Sequence, residues 1–447
     1  MDKLFGTDGI RGVAGEPPLD RDDVYRIGHC LTSYLRGTHE RPRLLIGRDT
    51  RVSGPWIERL LRRAIEDAGG VVELCGVVST PAVSFLARKT AAQAGIMISA
   101  SHNPYEDNGI KIFSSDGIKF NDSVEEGLEI RILSCALAAP NGFGADPNAL
   151  EFDHSLAPQY QHFYTDYLRS CLAPGFHLRG VRLVVDCAHG SLSNIAPSFL
   201  RSLGARVHAI HCQPDGRNIN RRAGALHLGV LQEEVLAQKA DLGIAFDGDA
   251  DRAMFVDAEG RVRDGDDALY LLARYACFED APRTIVGTVM ANLGLEVALE
   301  ELGFRLIRTS VGDRFVLEEM LRLGAVFGGE QSGHIIMTRL ARTGDGLLTA
   351  LKVLEILSAQ KQDLATLCSP VKRFPQVLRN VPVREKVSFE SIAGLRDAEA
   401  ACNEKLGARS RILLRYSGTE KLARVMVEGE DERTVNEVAE KLASFFK

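Results

Sequence analysis

The chain has 447 residues, of which 45% are apolar and 26% charged, and its formal net charge is −6. At roughly 100–200 residues per domain, this length suggests three or four domains. An acidic balance with both signs interspersed argues against a nucleic-acid partner, and no apolar run approaches the roughly 20 residues of a membrane helix. The opening Met1-Asp2-Lys3-Leu4-Phe5-Gly6 lacks the apolar stretch of a signal peptide. Nine cysteines without a Cys-x-x-Cys pair fit a reducing compartment, so a cytoplasmic protein is expected.

Strand and helix signals alternate along the chain. Arg43 to Gly47 reads as a strand, Trp56 to Ala68 as an amphipathic helix stopped by Gly69-Gly70, and Val71 to Leu74 as the next strand. Pro81 to Ala92 is predicted helical. Ile110 to Phe113 and Ile118 to Phe120 read as hairpin arms around Asp116-Gly117. After the Pro/Asn/Gly-rich stretch 139–148 the rhythm restarts. It gives strand Arg182 to Asp186, helix Leu192 to Leu203, strand Val207 to Ile210, helix Val230 to Lys239 and strand Leu242 to Phe246.

A third round begins near Asp264. Its helices are predicted over 267–277, 295–302, 315–323 and 345–359, and its strands over 284–287, 305–309 and 326–327. Pro370, Pro375 and Pro382 then read as a linker. The last segment carries strands Arg411 to Arg415 and Arg424 to Glu428, and a helix from about Asp431. The pattern predicts an α/β fold with three related α/β domains plus a small C-terminal α+β domain.

Five stretches are candidates to carry chemistry. Ser99-Ala100-Ser101-His102-Asn103-Pro104 follows the apolar run Gly95 to Ile98, at the carboxyl end of a strand, where open α/β sheets place ligands. Asn108-Gly109 is a turn signal that could fold Lys111 back toward Ser101. No Gly-x-Ser-x-Gly elbow surrounds the serine, so a hydrolase triad is not indicated. A lone loop serine is otherwise an ordinary turn residue.

Asp247, Asp249 and Asp251 follow the apolar run Leu242 to Phe246. An EF-hand loop needs Gly at its sixth position and Glu at its twelfth, and Arg252 and Ala258 stand there. Three carboxylates ending an apolar strand repel one another without a counter-ion. The trio therefore reads as a site for Mg²⁺ with an open coordination sphere.

Gly328-Gly329-Glu330-Gln331-Ser332-Gly333-His334 offers close backbone approach together with donors and acceptors for a sugar ring; a tight turn is the bland alternative. Arg415-Tyr416-Ser417-Gly418-Thr419-Glu420, followed by Arg424, can form a phosphate cradle or an ordinary loop. In Phe5 to Gly12, Arg11 could serve a phosphate or cap a helix.

In this order the motifs resemble the α-D-phosphohexomutase superfamily across essentially the whole chain. The resemblance implies four domains around a central cleft, with divisions at 1–150, 151–255, 256–369 and 370–447. It implies that Ser101 carries the phosphoryl group, and that Ser101, Asp247, Asp249 and Asp251 hold Mg²⁺. His102, Lys111 and His334 would assist proton transfer. Glu330 and Ser332 would grip sugar hydroxyls, and Arg11, Arg252, Arg415, Ser417, Gly418, Thr419 and Arg424 would bind the phosphosugar.

The reaction it implies converts glucosamine 6-phosphate to glucosamine 1-phosphate through glucosamine 1,6-bisphosphate, which doubles as activator. Gln331 is associated with that substrate. A glucose or mannose phosphate mutase is the first alternative, and a non-catalytic sugar-phosphate-binding regulator the second. A homodimer is compatible with the resemblance. Two positions depart from the family. Ala250 replaces a commoner glycine, harmless if its φ is negative, and Lys421 replaces the usual proline, which loosens the phosphate loop.

Overall fold

The structure is a computed structural model and describes residues 3–6, 8–140, 154–417 and 421–446. The chain forms two compact units, one of Met1–Val289 with Ile307–Cys368 and one of Met290–Leu306 with Ser369–Lys447. Among the described residues no helix is long and apolar enough to cross a membrane.

The first unit contains three sheets. Strands β1 (Ile10–Val13), β2 (Arg43–Arg48), β3 (Val71–Val77), β4 (Ala94–Ile98) and β5 (Asp107–Ser114) form the first, in the order β1-β5-β4-β2-β3. Strands β6 (Arg182–Asp186), β7 (Arg206–Ile210), β8 (Leu242–Phe246), β9 (Ala253–Asp257) and β10 (Val262–Arg263) form the second, in the order β10-β9-β8-β6-β7. Strands β11 (Thr284–Thr288), β12 (Arg305–Thr309), β13 (Phe327–Gly329) and β14 (Ile335–Met337) form the third, in the order β12-β11-β13-β14.

One wiring recurs in all three. A parallel strand turns into an antiparallel partner: β4 into β5, β8 into β9 and β13 into β14. The connecting loops are 99–106, 247–252 and 330–334. These hold Ser101, the Asp247–Asp251 trio and Glu330 with His334, so the repeated fold presents three polar loops from equivalent places.

The central strands are apolar on both faces because helices cover both sides. Leu44, Ile46, Ile96 and Ile98 pack with Ile27, Leu31, Leu61 and Ile65, all within 1% of complete burial. Each such side chain contributes about 1.5–3 kcal/mol by leaving water. The helix Thr80–Lys89 is capped by Ser79, whose side chain accepts from Ala82 N, has Pro81 in its first turn, and ends on Arg88 and Lys89.

In the second unit β15 (Gln376–Pro382), β16 (Ser410–Tyr416) and β17 (Leu422–Gly429) form an antiparallel sheet ordered β15-β17-β16. The helices Leu395–Leu406 and Glu432–Ala443 pack on it through Leu395, Val435, Val438 and Leu442.

Several sequence expectations are corrected. The presumed linker contains β15, an edge strand where Pro382 sits without breaking a central ladder. The helix predicted from Leu192 begins at Ala196, with Pro197 in its first turn. The hairpin around Asp116-Gly117 reduces to a single bridge between Phe113 and Lys119. Asn108-Gly109 is not a turn but the interior of β5, paired with Gly12 and Arg11 of β1. Asn108 is buried there and donates to Ser53 Oγ at 2.8 Å, and a Cβ at position 109 would lie 2.6 Å from Ser99 O.

Candidate active site

The Ser101 loop is held from beneath by a buried ion pair. Arg51 Nε lies 2.9 Å from Asp49 Oδ2, with both side chains fully buried at the end of β2. The guanidinium donates to Ser101 O at 3.0 Å, Asn103 O at 2.9 Å and Asp107 O at 3.0 Å, and also to Pro104 O. Ser99 Oγ donates to Asp49 Oδ2 at 2.6 Å and accepts from Ser101 N at 2.9 Å. Ser101 itself takes a left-handed φ of 52° and is 1% exposed. A non-glycine residue held there is strained by about 1–2 kcal/mol, and the surrounding bonds fix it.

Ser101 Oγ donates to Asp247 Oδ2 at 2.6 Å and lies 3.3 Å from His102 Nδ1. The serine loop of the first sheet thus meets the carboxylate loop of the second. Gly248 permits the approach, because a Cβ there would come within 2.6 Å of Ser101 O.

Asp247, Asp249 and Asp251 are all buried, and one oxygen from each lies within 4.8 Å of the others. Lys111, on β5, places Nζ 2.9 Å from Asp249 Oδ2, 3.4 Å from Asp251 Oδ2 and 3.0 Å from Asp8 Oδ2. It reaches them because β5 runs antiparallel beside β4. Thr80 Oγ1 donates to Asp249 Oδ2 at 2.5 Å. Asp249 Oδ1 and Asp251 Oδ1 remain buried without a hydrogen-bond donor. Hard carboxylate oxygens converging without donors suit a divalent cation such as Mg²⁺. The residues present therefore fit the ion the sequence suggested.

The local field is strong. Burial and the charges of Asp251 and Asp249 push the Asp247 carboxyl well above its usual range. Asp251 is disfavoured by burial, yet Lys111 and His334 hold it well below that range. Burial disfavours the Lys111 ammonium, but Asp249, Asp8 and Asp251 raise its pKa well above the ordinary value. His102 is pushed down to about 4 by burial, with Arg252 and Arg11 adding to the effect.

His334 is buried, which lowers its proton affinity, but Asp251, Asp313 and Glu330 raise its pKa to about 9. Gly344 N lies 3.1 Å from its Nε2, and its Nδ1 lies 3.6 Å from Asp251 Oδ1.

Arg11, His102, Asp251, Arg252, Glu330 and His334 line a cavity of about 410 Å³ beside Ser101. Arg11 pairs with Asp8, and Arg252 Nε stands 3.9 Å from Asp251 Oδ1. Glu330 Oε1 accepts from Gly312 N at 3.1 Å, and Ser332 Oγ lies 3.5 Å from Glu330 Oε2. Gln331 donates to Asp266 at 3.4 Å. Ala250 has φ +59°, which removes the condition under which its replacement of glycine is harmless.

In the second unit, Arg415 and Arg424 stand directly opposite each other on β16 and β17. Like charges in such a pair are destabilising unless an anion joins them. Burial and the Arg424 charge lower the Arg415 pKa. Arg424 Nη2 is 3.4 Å from Ser417 Oγ, and Lys386 Nζ donates to Ser417 O at 2.6 Å. Gly418 and Thr419 lie outside the described residues.

Sequence reasoning passed over Asp49, Arg51, Thr80, Lys119, Asp313 and Lys386. Lys119 bonds to Asp8 and, at 2.6 Å, to Asp313. Asp49 and Arg51 carried a usable signal, since they follow a strand at its carboxyl end.

Within the first unit, a buried serine hydroxyl beside a cation-ready carboxylate trio, with Arg11 and Arg252 on the same cavity, is the residue set that phosphoryl transfer uses. Residues 2–136, 162–260 and 264–374 match the α/β/α domains I, II and III of phosphoglucomutase/phosphomannomutase, and residues 378–445 match its C-terminal domain. The chain belongs to this family. It is 44% identical over 448 residues to a phosphoglucosamine mutase of Solibacter usitatus, covering 99% of this chain and 98% of the relative. A phosphoglucomutase/phosphomannomutase family protein of Burkholderia thailandensis shares the fold with a TM-score of 0.79 at 24% identity, over 99% of this chain and 98% of that one. An Aspergillus fumigatus N-acetylphosphoglucosamine mutase, solved with GlcNAc-6P and magnesium, has a TM-score of 0.67 at 16% identity, over 99% and 95%.

Proposed function

We propose that this chain interconverts glucosamine 6-phosphate and glucosamine 1-phosphate through a phosphoserine at residue 101 and a glucosamine 1,6-bisphosphate intermediate. The observation that carries the reading is the 2.6 Å contact of Ser101 Oγ with Asp247 across two sheets, beside two buried carboxylate oxygens without donors. Family membership and the name of the 44%-identical relative support the reaction and its substrate.

In the forward direction the bond between phosphorus and Ser101 Oγ breaks, a bond from phosphorus to sugar O1 forms, and the O1 proton passes to the enzyme. After the bisphosphate reverses its orientation, the O6–phosphorus bond breaks and Ser101 Oγ regains the phosphoryl group. A proton is returned to O6. His102, beside Ser101 Oγ, Lys111 and His334 are the groups placed to move these protons.

Asp247, Asp249, Asp251 and the Ser101 oxygen would hold Mg²⁺, which when bound neutralises charge on the moving phosphoryl group. Glu330 and Ser332 accept sugar hydroxyls, and Arg11 and Arg252 bind phosphate in the cavity. Arg415, Ser417, Gly418, Thr419 and Arg424 hold the phosphate that is not reacting. With domain divisions near 150, 255 and 369, the serine, carboxylate, sugar and phosphate loops would fall one to each domain. The product would supply amino-sugar precursors of the cell wall in the cytoplasm.

The test is kcat/KM for glucosamine, glucose and mannose 6-phosphates, with Mg²⁺ and a trace of sugar bisphosphate. A charge-assisted bond to the C2 ammonium is expected to favour glucosamine 6-phosphate by about ten- to a hundredfold. Equal values would move the substrate assignment to a broader phosphohexose mutase. No turnover of any sugar would favour a binding protein.

A further inference from the structure

A second concentration of positive charge lies on the loop that follows β7. Arg217, Arg221 and Arg222 line a cavity of about 470 Å³ together with His227, His102 and one carboxylate, Glu106. The three arginines are exposed and form no ion pair among the described residues. This contrasts with Arg51, Lys111, Lys119 and Arg252, each of which has a carboxylate within 4 Å. Glu106 is the one carboxylate of the lining and Asp215, whose carboxyl the Arg217 backbone N–H and the Arg221 charge help to hold down, lies on the same loop, so three guanidiniums against two carboxylates still leave this region positive in a chain of net charge −6.

The loop is held in place. Asn220 and Arg222 adopt left-handed φ values of 58° and 53°. Asn220 Nδ2 donates to Ser101 O at 2.8 Å and Asn103 O at 3.0 Å, and its backbone N–H to Ala188 O at 2.9 Å. Ile219 is buried beside them. The backbone bearing the arginines is therefore tied to the loop bearing Ser101. His102, 3.3 Å from Ser101 Oγ, is a wall of both this cavity and the 410 Å³ one.

We propose that the Arg217–Arg221–Arg222 cavity is a second anion subsite, separate from the Arg415–Arg424 pair, that takes a phosphate monoester dianion. Its ligand is the trailing phosphate of a sugar bisphosphate entering or leaving the Ser101 site. The bisphosphate part rests on the mutase reading above; the anion subsite does not. Unpaired guanidiniums around an open cavity suit bidentate phosphate contacts. A positive approach also concentrates dianionic ligands beside the reacting group.

Two measurements on R217Q/R221Q/R222Q test this. The first is calorimetric binding of inorganic phosphate, in full-length protein that also carries R415Q/R424Q, so that this pair is silent and the Arg11–Arg252 contribution is common to parent and variant. The second is the concentration of glucose 1,6-bisphosphate giving half-maximal mutase activity. Loss of the three arginines is expected to weaken phosphate binding by about tenfold, the exposed charges being partly screened, and to raise the half-activating concentration similarly. E106Q should act in the opposite direction and tighten phosphate binding, which a merely damaged fold would not do.

Unchanged phosphate binding in the triple variant, or weaker binding in E106Q, overturns the subsite. Weakened phosphate binding with an unchanged activation constant overturns the bisphosphate as its ligand. If the parent protein turns over no phosphosugar, the mutase reading fails while the phosphate titration still decides the subsite.

Discussion

The loops after β4 and after β8 occupy the same place in two sheets whose four strands β5-β4-β2-β3 and β9-β8-β6-β7 are arranged alike, yet they do opposite things. Each follows a buried parallel strand, turns through a left-handed non-glycine residue (Ser101 or Ala250) and enters an antiparallel partner. The first presents a hydroxyl, propped from below by the Asp49–Arg51 pair. The second presents three carboxylates, held from the side by Lys111 and Thr80. The third sheet repeats the device with Gly333 as its left-handed residue and delivers Glu330 and His334. The backbone sets where chemistry can occur, and the loop residues with their buried supports set which chemistry it is.

The comparison breaks most visibly at its reacting end. Ser101→Ala should lower kcat by on the order of 10⁴-fold or more, with an unchanged denaturation midpoint. If turnover survives, the serine loop is no more than structural. The support beneath it comes next. Arg51→Met leaves Asp49 buried without its partner and should cost about 3–5 kcal/mol of stability, read by urea unfolding of the chain. A loss under about 1 kcal/mol would mean the Ser101 loop holds its shape unaided.

The arginine pair of the second unit tests the contrast between a buried ion pair and two like charges set side by side. Arg415→Gln removes a like-charge repulsion as well as a ligand contact. It should leave stability unchanged or improved while lowering kcat/KM by about ten- to a hundredfold, mainly through KM. A stability loss with unchanged kinetics would make the pair structural. The smallest effect is at Ala250. Glycine relieves left-handed strain but gains entropy when unfolded, so Ala250→Gly should stabilise by less than about 1 kcal/mol. Destabilisation would show that the methyl group packs usefully.

Much of this was legible in the sequence, and the failures have common causes. Strands Arg182–Asp186, Leu242–Phe246 and Arg305–Thr309 were readable to the residue because they are short and bounded by turn residues. The Asp247–Asp251 cluster was readable because three carboxylates after an apolar strand have few bland explanations. Asn108-Gly109 misled, since turn propensity is local whereas pairing with β1 comes from residues about a hundred positions earlier.

Pro375 and Pro382 hid β15 for a similar reason: edge position is a property of the sheet. Arg51 could not be assigned its task from sequence, because its partners include carbonyls more than fifty residues away. The φ of Ala250 is set by the loop closure between β8 and β9, so the effect of a methyl group there could only be posed conditionally.

The central claim is that Ser101 is the relay for the phosphoryl group. The direct measurement is to incubate the protein with glucose 1,6-bisphosphate labelled in phosphate and Mg²⁺, locate the label by peptide mass spectrometry, and chase it with glucosamine 6-phosphate. The account predicts label on Ser101 alone, approaching one per chain, and its quantitative transfer to sugar during the chase. Label on another residue, or label on Ser101 that the sugar cannot remove, would contradict it.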